Sequence, residues 1–357
     1  MSLLDPVSFR GGATIKNRIA LAALTNRQSH ADGTLSEEET EWLVARARGG
    51  FGVVTTCATY VSQEGKAWAG ELGLANETHH SGIARLATAL KSEGALPLVQ
   101  LFHGGLRADE KVSGAEPISA ISSVEPPKRR AATGADLERV IDAFREAAVQ
   151  AHAAGMGGVE IHGAHGYLLG QFVSTIENRR EDEWGGSLEN RARLLRRVTQ
   201  AVRQATPSDF VVGVRLSPED FGQTRGVDLD ENVQIARWLD EDGIDYLHLS
   251  LWDVTLNTTK HPEQHAVPLF RAALDPSTRI FAAGKIWSKG DAERVLALGA
   301  DMVALGRAGI LNPRWPERVA TGEEEPARPP MSRVDLLERS VSPLFADYLT
   351  KFKGLVE

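Results

Sequence analysis

Short apolar runs recur along this chain, each closed by glycine or polar residues and most followed by a helical pattern. They fall at Arg18–Leu24, Phe51–Thr56, Ala95–Leu101, Gly158–His162, Phe210–Leu216, Asp245–Leu249, Arg279–Ala283 and Asp301–Leu305. A run of this length bounded by turn residues reads as a buried strand. Strands alternating with helices imply a parallel sheet. A doubly wound sheet would account for the early units. The count of eight, with no break in composition near the middle, favours one closed (β/α)₈ barrel.

The intervening segments carry helix signals. Ser36 reads as a cap that Glu39 reciprocates, ahead of Trp42 and Leu43. His79–Lys91 places Ile83, Leu86 and Leu90 on one stripe, and Asp136–Ala154, Leu188–Ala205 and Ser288–Leu298 read the same way. Asp230 is the expected cap of a helix running to Asp240. Val7–Phe9 and Ala13–Lys16, around Gly11-Gly12, predict an N-terminal hairpin that plugs or covers one end of the fold. Two connections are long, Arg107–Gly134 (with Pro117, Pro126, Pro127 and Lys128-Arg129-Arg130) and Gly163–Ser187, and long loops after barrel strands build substrate walls. The barrel is expected over residues 1–322. Residues 323–357 are expected to form a linker and a terminal helical segment that packs on or near it.

Composition narrows the function classes. The 357 residues are 42% hydrophobic and 25% charged, with a formal charge of -8 and no basic block, which predicts a soluble globular protein that does not bind nucleic acid. The lone Cys57 excludes an intramolecular disulfide framework and a four-cysteine iron–sulfur cluster within the chain. No apolar run reaches spanning length and the start lacks a secretory pattern, so no membrane partner is expected and the cytoplasm is the expected location.

The chemistry-bearing residues gather at predicted strand ends. Strand four delivers Glu160 and His162 on one face, with His165 and Tyr167 in the turn beyond. Two imidazoles so placed can stabilise charge on a carbonyl or phenolate oxygen, ligate a metal, or serve the core. Tyr167 is either a proton donor or a packing residue. Arg215 suits an anionic ring or phosphate, or else a buried ion pair, and Gln100 suits a heterocycle edge or a plain loop hydrogen bond. Gly284-Lys285 and Gly306-Arg307 close strands seven and eight, where barrels commonly hold phosphate. Trp68, Trp184, Trp252 and Trp287 are expected as loop or core anchors. The early strands lack a Gly-x-Gly-x-x-Gly fingerprint, so no Rossmann nicotinamide domain is expected.

Several blocks together resemble the old yellow enzyme family of flavin-dependent ene-reductases. They are Lys16-Asn17-Arg18-Ile19, Gln100-Leu101-Phe102-His103-Gly104-Gly105-Leu106-Arg107 and Glu160-Ile161-His162-Gly163-Ala164-His165-Gly166-Tyr167-Leu168. Asn178-Arg179-Arg180, Asp182–Ser187, Glu189-Asn190-Arg191 and Ala304-Leu305-Gly306-Arg307 complete the set. The resemblance covers almost all of the barrel. It implies non-covalent FMN at the C-terminal face. Ala23, Leu24, Thr25 and Ala58 would lie along the flavin, and Gln100 and Arg215 at its pyrimidine edge. Gly284, Lys285, Gly306 and Arg307 would surround the phosphate. It implies His162 and His165 as the grip on a substrate oxygen and Tyr167 as the proton donor. The implied reaction uses one site twice. NADH or NADPH passes hydride to flavin N5; an α,β-unsaturated carbonyl or related electrophilic alkene then takes it at its β-carbon while Tyr167 protonates the α-carbon. A homodimer or higher homo-oligomer is compatible with this resemblance. Thr25 and Arg27 depart from the short members of the family, which often carry cysteine and tyrosine there. Arg27 puts a cation near the substrate cavity, or else pairs with Asp32 or another acid.

Overall fold

A computed structural model describes residues 2–123, 128–222 and 224–357. Pro126 and Pro127 of the first long loop lie outside the described residues. Eight parallel strands close a barrel: β1 (Ile19–Leu21), β2 (Val53–Tyr60), β3 (Leu96–Phe102), β4 (Gly158–His162), β5 (Val211–Leu216), β6 (Tyr246–Ser250), β7 (Arg279–Ala283) and β8 (Met302–Leu305). Each strand pairs with its sequence neighbour and β8 returns to β1. Every apolar run predicted as a strand is one. The largest difference is at β2, which continues through Cys57 and Ala58 to Tyr60. A register shift between Thr55 and Ala58 allows this, after which Ala58 sits opposite Gln100 and Tyr60 opposite Phe102. A bulge of this kind bends the strand and re-aims its side chains, so Ala58 reaches the mouth.

Helices α1 (Glu37–Arg48), α2 (His80–Ser92), α3 (Gly134–Ala153), α4 (Leu188–Ala205), α5 (Leu229–Glu241), α6 (Ala266–Arg271), α7 (Lys289–Ala297) and α8 (Arg307–Leu311) follow the strands in turn. Two cap expectations are corrected. Ser36 does accept from the Glu39 backbone N–H, but the Glu39 carboxylate is buried and takes Asn26 Nδ2 and Ser29 Oγ instead of reaching back. The cap of α5 is Asp228, which accepts from the backbone of Asp230 and Glu231, because the helix begins earlier, at Leu229. Full capping boxes occur at Thr133–Asp136 and Ser288–Asp291.

Period-two alternation splits the apolar residues between two layers. Outward side chains such as Ile161, Val212, Val214 and Leu249 pack under the helices. Inward ones such as Leu98, Val211, Tyr246, Phe281 and Met302 fill the barrel. The N-terminal hairpin, Val7–Ser8 against Thr14–Ile15, closes the bottom. Its Phe9 sits 6.2 Å from both Tyr246 and Phe281, with Val7 and Ile15 in the same cluster. The opposite, C-terminal end is thereby left as the open face. The C-terminal segment crosses toward that face: Phe345 is buried edge-on to Trp42 at 5.3 Å, and Met331 bridges to Val356. Among the described residues, no helix is long and apolar enough to cross a membrane.

Candidate active site

Strand register builds the open end in rows. Ala58, Gln100, Glu160 and Gly213 stand opposite one another across β2 to β5. One step higher, His162, Arg215 and His248 form the next row. Above these rows lies a cavity of about 510 Å³, in the size range of small-molecule sites. Ala23, Leu24 and Thr25 form one wall, where β1 has run out of its ladder. Ala58, Gln100 and Arg215 form the floor, and His162, His165 and Tyr167 the facing wall. A second cavity of about 250 Å³ is lined by Gly284, Lys285, Gly306 and Arg307. The two share Leu24, His165, Arg215, Trp252 and Arg307, so they form one continuous groove. The residues singled out from sequence thus converge on a single groove.

Backbone geometry shapes this mouth. Arg27, His165 and Lys285 adopt positive φ (58°, 60° and 50°), a left-handed conformation costly for side-chain-bearing residues. At His165 it turns the ring back toward His162, so the two imidazoles meet edge-on with centroids 5.0 Å apart. Gly284 has φ 152°, and a Cβ there would stand 2.7 Å from the Leu251 carbonyl oxygen. Only glycine lets β7 turn against the β6 loop.

Hydrogen bonds settle the histidine tautomers. The Ala164 backbone N–H donates to His162 Nδ1 at 3.3 Å, so the proton of a neutral His162 is on Nε2. That Nε2 faces His165 Nδ1 at 3.3 Å, leaving the His165 proton on Nε2, which donates to Ser250 Oγ at 2.7 Å. Ser250 Oγ also accepts from Arg215 Nη2 at 3.2 Å. Burial, reinforced by nearby positive charge, drives both histidines well below their ordinary range, so both are neutral. No third His, Cys, Asp or Glu joins them in a metal-holding group among the described residues.

Tyr167 caps the short helix Leu168–Val173, and its ring packs edge-on to Phe102 at 4.5 Å and 5.1 Å from His162. The Arg107 guanidinium lies 5.1 Å over the same ring. Burial raises the phenol pKa more than Arg107 lowers it, and the hydroxyl keeps its proton at neutral pH.

The groove fits FMN. Arg215 is buried but for 8% of its surface, its Nη2 on Ser250 and its Nη1 3.4 Å from the Ala23 carbonyl, while Nε has no partner. A buried cation with an unspent donor at a cavity floor suits an electron-rich ring. Lys285 pairs with Asp253 at 3.2 Å and, with Arg307, lines the end where the phosphate would lie.

Several lining residues were not legible from sequence. Tyr348, Leu349, Phe352 and Leu355 of the C-terminal segment line the larger cavity. Trp252, expected as a loop or core anchor, is instead 57% exposed at the junction of the two cavities. Arg27 does not pair with Asp32, whose Oδ1 is taken by Thr34. Its guanidinium lies 5.0 Å over the Tyr348 ring. The sequence signal available for this wall was the aromatic spacing of Tyr348 and Phe352.

The buried histidines make stability depend on pH. His103 is pushed down to about 3 by burial, and His162, His165 and His248 are also lowered, chiefly by burial. Below about pH 6.5 the unfolded chain binds protons that the folded chain does not, so stability is full above that pH and falls as pH drops. Each such histidine contributes a loss of about 1.4 kcal/mol per pH unit below it. Burial raises Glu39 and Glu71, which take up protons in the fold as pH falls and so oppose the four histidines. With the histidines in the majority, melting temperature should decline from about pH 6.5 to about 5; a flat or rising profile there would show that the rings do not dominate.

Comparison with known proteins places this geometry. The family model for the NADH:flavin oxidoreductase / NADH oxidase family matches residues 2–325. The chain is 35% identical over 332 residues to a probable NADH-dependent flavin oxidoreductase, YqiG, of Bacillus subtilis, covering 90% of this chain and 89% of that protein. It is 34% identical over 337 residues to an NADH:fumarate oxidoreductase of Klebsiella pneumoniae, covering 90% of this chain but only 36% of that longer protein. The structure of an old yellow enzyme homologue from Zymomonas mobilis superposes with a TM-score of 0.83 at 29% identity, covering 98% of this chain and 99% of that one. A barrel with this groove and these relatives belongs to the NADH:flavin oxidoreductase family, the old yellow enzymes, and is an FMN-dependent NAD(P)H oxidoreductase.

Proposed function

We propose that this enzyme reduces the activated C=C bond of α,β-unsaturated carbonyl and related compounds, with NADH or NADPH as the hydride source. The observation that carries the reading is the facing wall of the larger cavity. Two neutral imidazoles and one protonated phenol converge there opposite the Ala58–Gln100–Arg215 floor.

Ala23, Leu24, Thr25 and Ala58 would flank the flavin ring, Gln100 and Arg215 would hold its polar edge, and Gly284, Lys285, Gly306 and Arg307 would hold the phosphate. FMN held there would supply two-electron hydride chemistry between the nicotinamide and the acceptor. The protein's part is positional and electrostatic. An acceptor oxygen competes for the Nε2–H that His162 now gives to His165 and for the Nε2–H that His165 now gives to Ser250. Those N–H groups stabilise negative charge as it builds on that oxygen. Tyr167 holds a proton above the same cavity and delivers it to the acceptor carbon. Phe102 and Trp68 fix its ring and help exclude water.

A second reading is an FMN-dependent dehydrogenase or demethylase that takes electrons from an unknown small metabolite. The NADH:fumarate oxidoreductase relative, of which this chain spans little more than a third, is named for an unsaturated acceptor and so sides with the first reading. One assay separates the two. NADH and NADPH are added in turn without oxygen and flavin bleaching is followed; enones, maleimides, unsaturated acids and nitro compounds are then tested for reoxidation. Bleaching followed by reoxidation with enones or maleimides supports the first reading. Bleaching with no response to any activated alkene favours the second.

A further inference from the structure

Beneath the cavity floor lies an ion that the reaction above does not use. Glu160 is 1% exposed, on the same inward face of β4 as His162 but one row deeper. Its Oε1 accepts from Gln100 Nε2 at 2.7 Å. Its Oε2 accepts from His248 Nδ1 at 2.7 Å and from the Tyr246 hydroxyl at 3.1 Å. Room for this arrangement comes from Gly213, which stands between Glu160 and Tyr246 in the register: a Cβ there would lie 2.1 Å from the Tyr246 ring.

Two consequences reach the cavity. A carboxylate oxygen can only accept, so the contact with Glu160 fixes which end of the Gln100 amide points down. With one Nε2–H committed below, the acceptor that Gln100 presents to a ligand is its oxygen. The second consequence is charge. Burial alone would favour the neutral acid, but His248, Arg215 and Gln100 outweigh it and hold Glu160 at about 2, fully ionised. Its field in turn acts on Arg215, the cation of the floor. Inside a barrel such a field is screened far less than in water.

We propose that Glu160 is a positioning residue of the FMN site: it holds Gln100 as a hydrogen-bond acceptor toward the flavin and offsets the charge of Arg215, and so lowers the reduction potential of the bound flavin. This rests on the assignment of Gln100 and Arg215 to FMN made above. A flavin gains negative charge when reduced, and a carboxylate under the floor opposes that gain, whereas Arg215 alone would favour it. Outer partners that orient and tune the groups touching a redox centre act in this way at metal sites as well.

The test compares FMN-loaded wild type with Glu160→Gln, using equilibration with a reference dye to measure the midpoint potential. Removing the charge should raise the preference for reduced over oxidised FMN at least about tenfold, a rise of about 30 mV for a two-electron couple. An unchanged or lower potential overturns the proposal. Glu160→Asp keeps the charge but withdraws the carboxylate from Gln100, and it carries the test if Glu160→Gln does not fold. In that variant the amide is free to turn, so discrimination between FMN and N3-methyl-FMN, which lacks the ring N–H that an acceptor needs, should fall at least about tenfold, or 1.4 kcal/mol. Wild-type discrimination in Glu160→Asp also overturns it. Gln100→Leu separates the two levels. If it leaves FMN affinity and potential untouched, the cofactor-site reading falls and takes this inference with it. If it shifts them while the Glu160 variants do not, only the role of Glu160 is lost.

Discussion

Tyr167→Phe should slow reoxidation by an enone by about 10²- to 10⁴-fold, the usual range for losing a positioned general acid, while reduction by NAD(P)H stays close to wild type. The substitution keeps the ring on Phe102 and beneath Arg107 and deletes only the hydroxyl. Burial keeps that hydroxyl protonated, so the native residue arrives at the acceptor half-reaction with its proton in place. Rapid-mixing absorbance of the flavin reads the two half-reactions separately. Equal losses in both would place Tyr167 in flavin positioning instead of proton delivery, and no loss in either would remove it from the chemistry. Acceptors whose reduced form is already stable as an anion should be the least affected, because their protonation can come from water.

The second large effect is expected at His162. His162→Ala should weaken binding of a phenolic ligand and lower enone reduction by about 10²- to 10³-fold, the scale seen when one donor to a developing oxyanion is removed. His162 sits 4% exposed at the end of β4, fixed by the Ala164 N–H on one nitrogen and His165 on the other. Its loss also leaves His165 Nδ1 without its donor, so the two residues should not behave additively. His162→Ala and His165→Ala combined should cost less than the product of the single losses. Phenol titration followed by the long-wavelength flavin absorbance gives the binding term, and steady-state enone reduction gives the other. Strict multiplicativity would mean that the rings act independently, against the linked geometry of His162, His165, Ser250 and Arg215.

That linkage also changes what the histidine pair is. From residue types alone, His162 and His165 were compatible with an oxygen grip, a metal pair or core packing. The structure joins them through one hydrogen bond, buries His162, half-buries His165 and leaves both neutral, with an Arg215-linked serine at the far end. Nothing in its local sequence singles out Ser250. Its position at the last residue of β6 brings it to both His165 and Arg215. Arg27 illustrates the opposite limit: the sequence left it as a cation near the cavity or a partner of Asp32 or another acid, and the side chain lies over the cavity-lining Tyr348, hundreds of residues away in the chain.

The periodic part of this protein was determined by its sequence. Inward and outward side chains alternate along each strand, and the burial of both faces demands apolar runs, so β1 to β8 could be read without knowing their partners. The same periodicity put Glu160 and His162 on one face, and the glycines after β7 and β8 announced a tight, anion-ready end. Only the tertiary structure decided what depends on closure of the barrel. The Glu160–Gln100–His248–Tyr246 network draws on three strands, the Ser250 link on three segments, and the Tyr348–Phe352 wall on the end of the chain returning to its beginning. Such contacts are set by register and by packing between residues far apart in sequence, and no local pattern encodes them. The groove between Thr25, Arg215 and Tyr167 exists because a parallel barrel sends all its strands out of one end, while the hairpin with Phe9 has sealed the other.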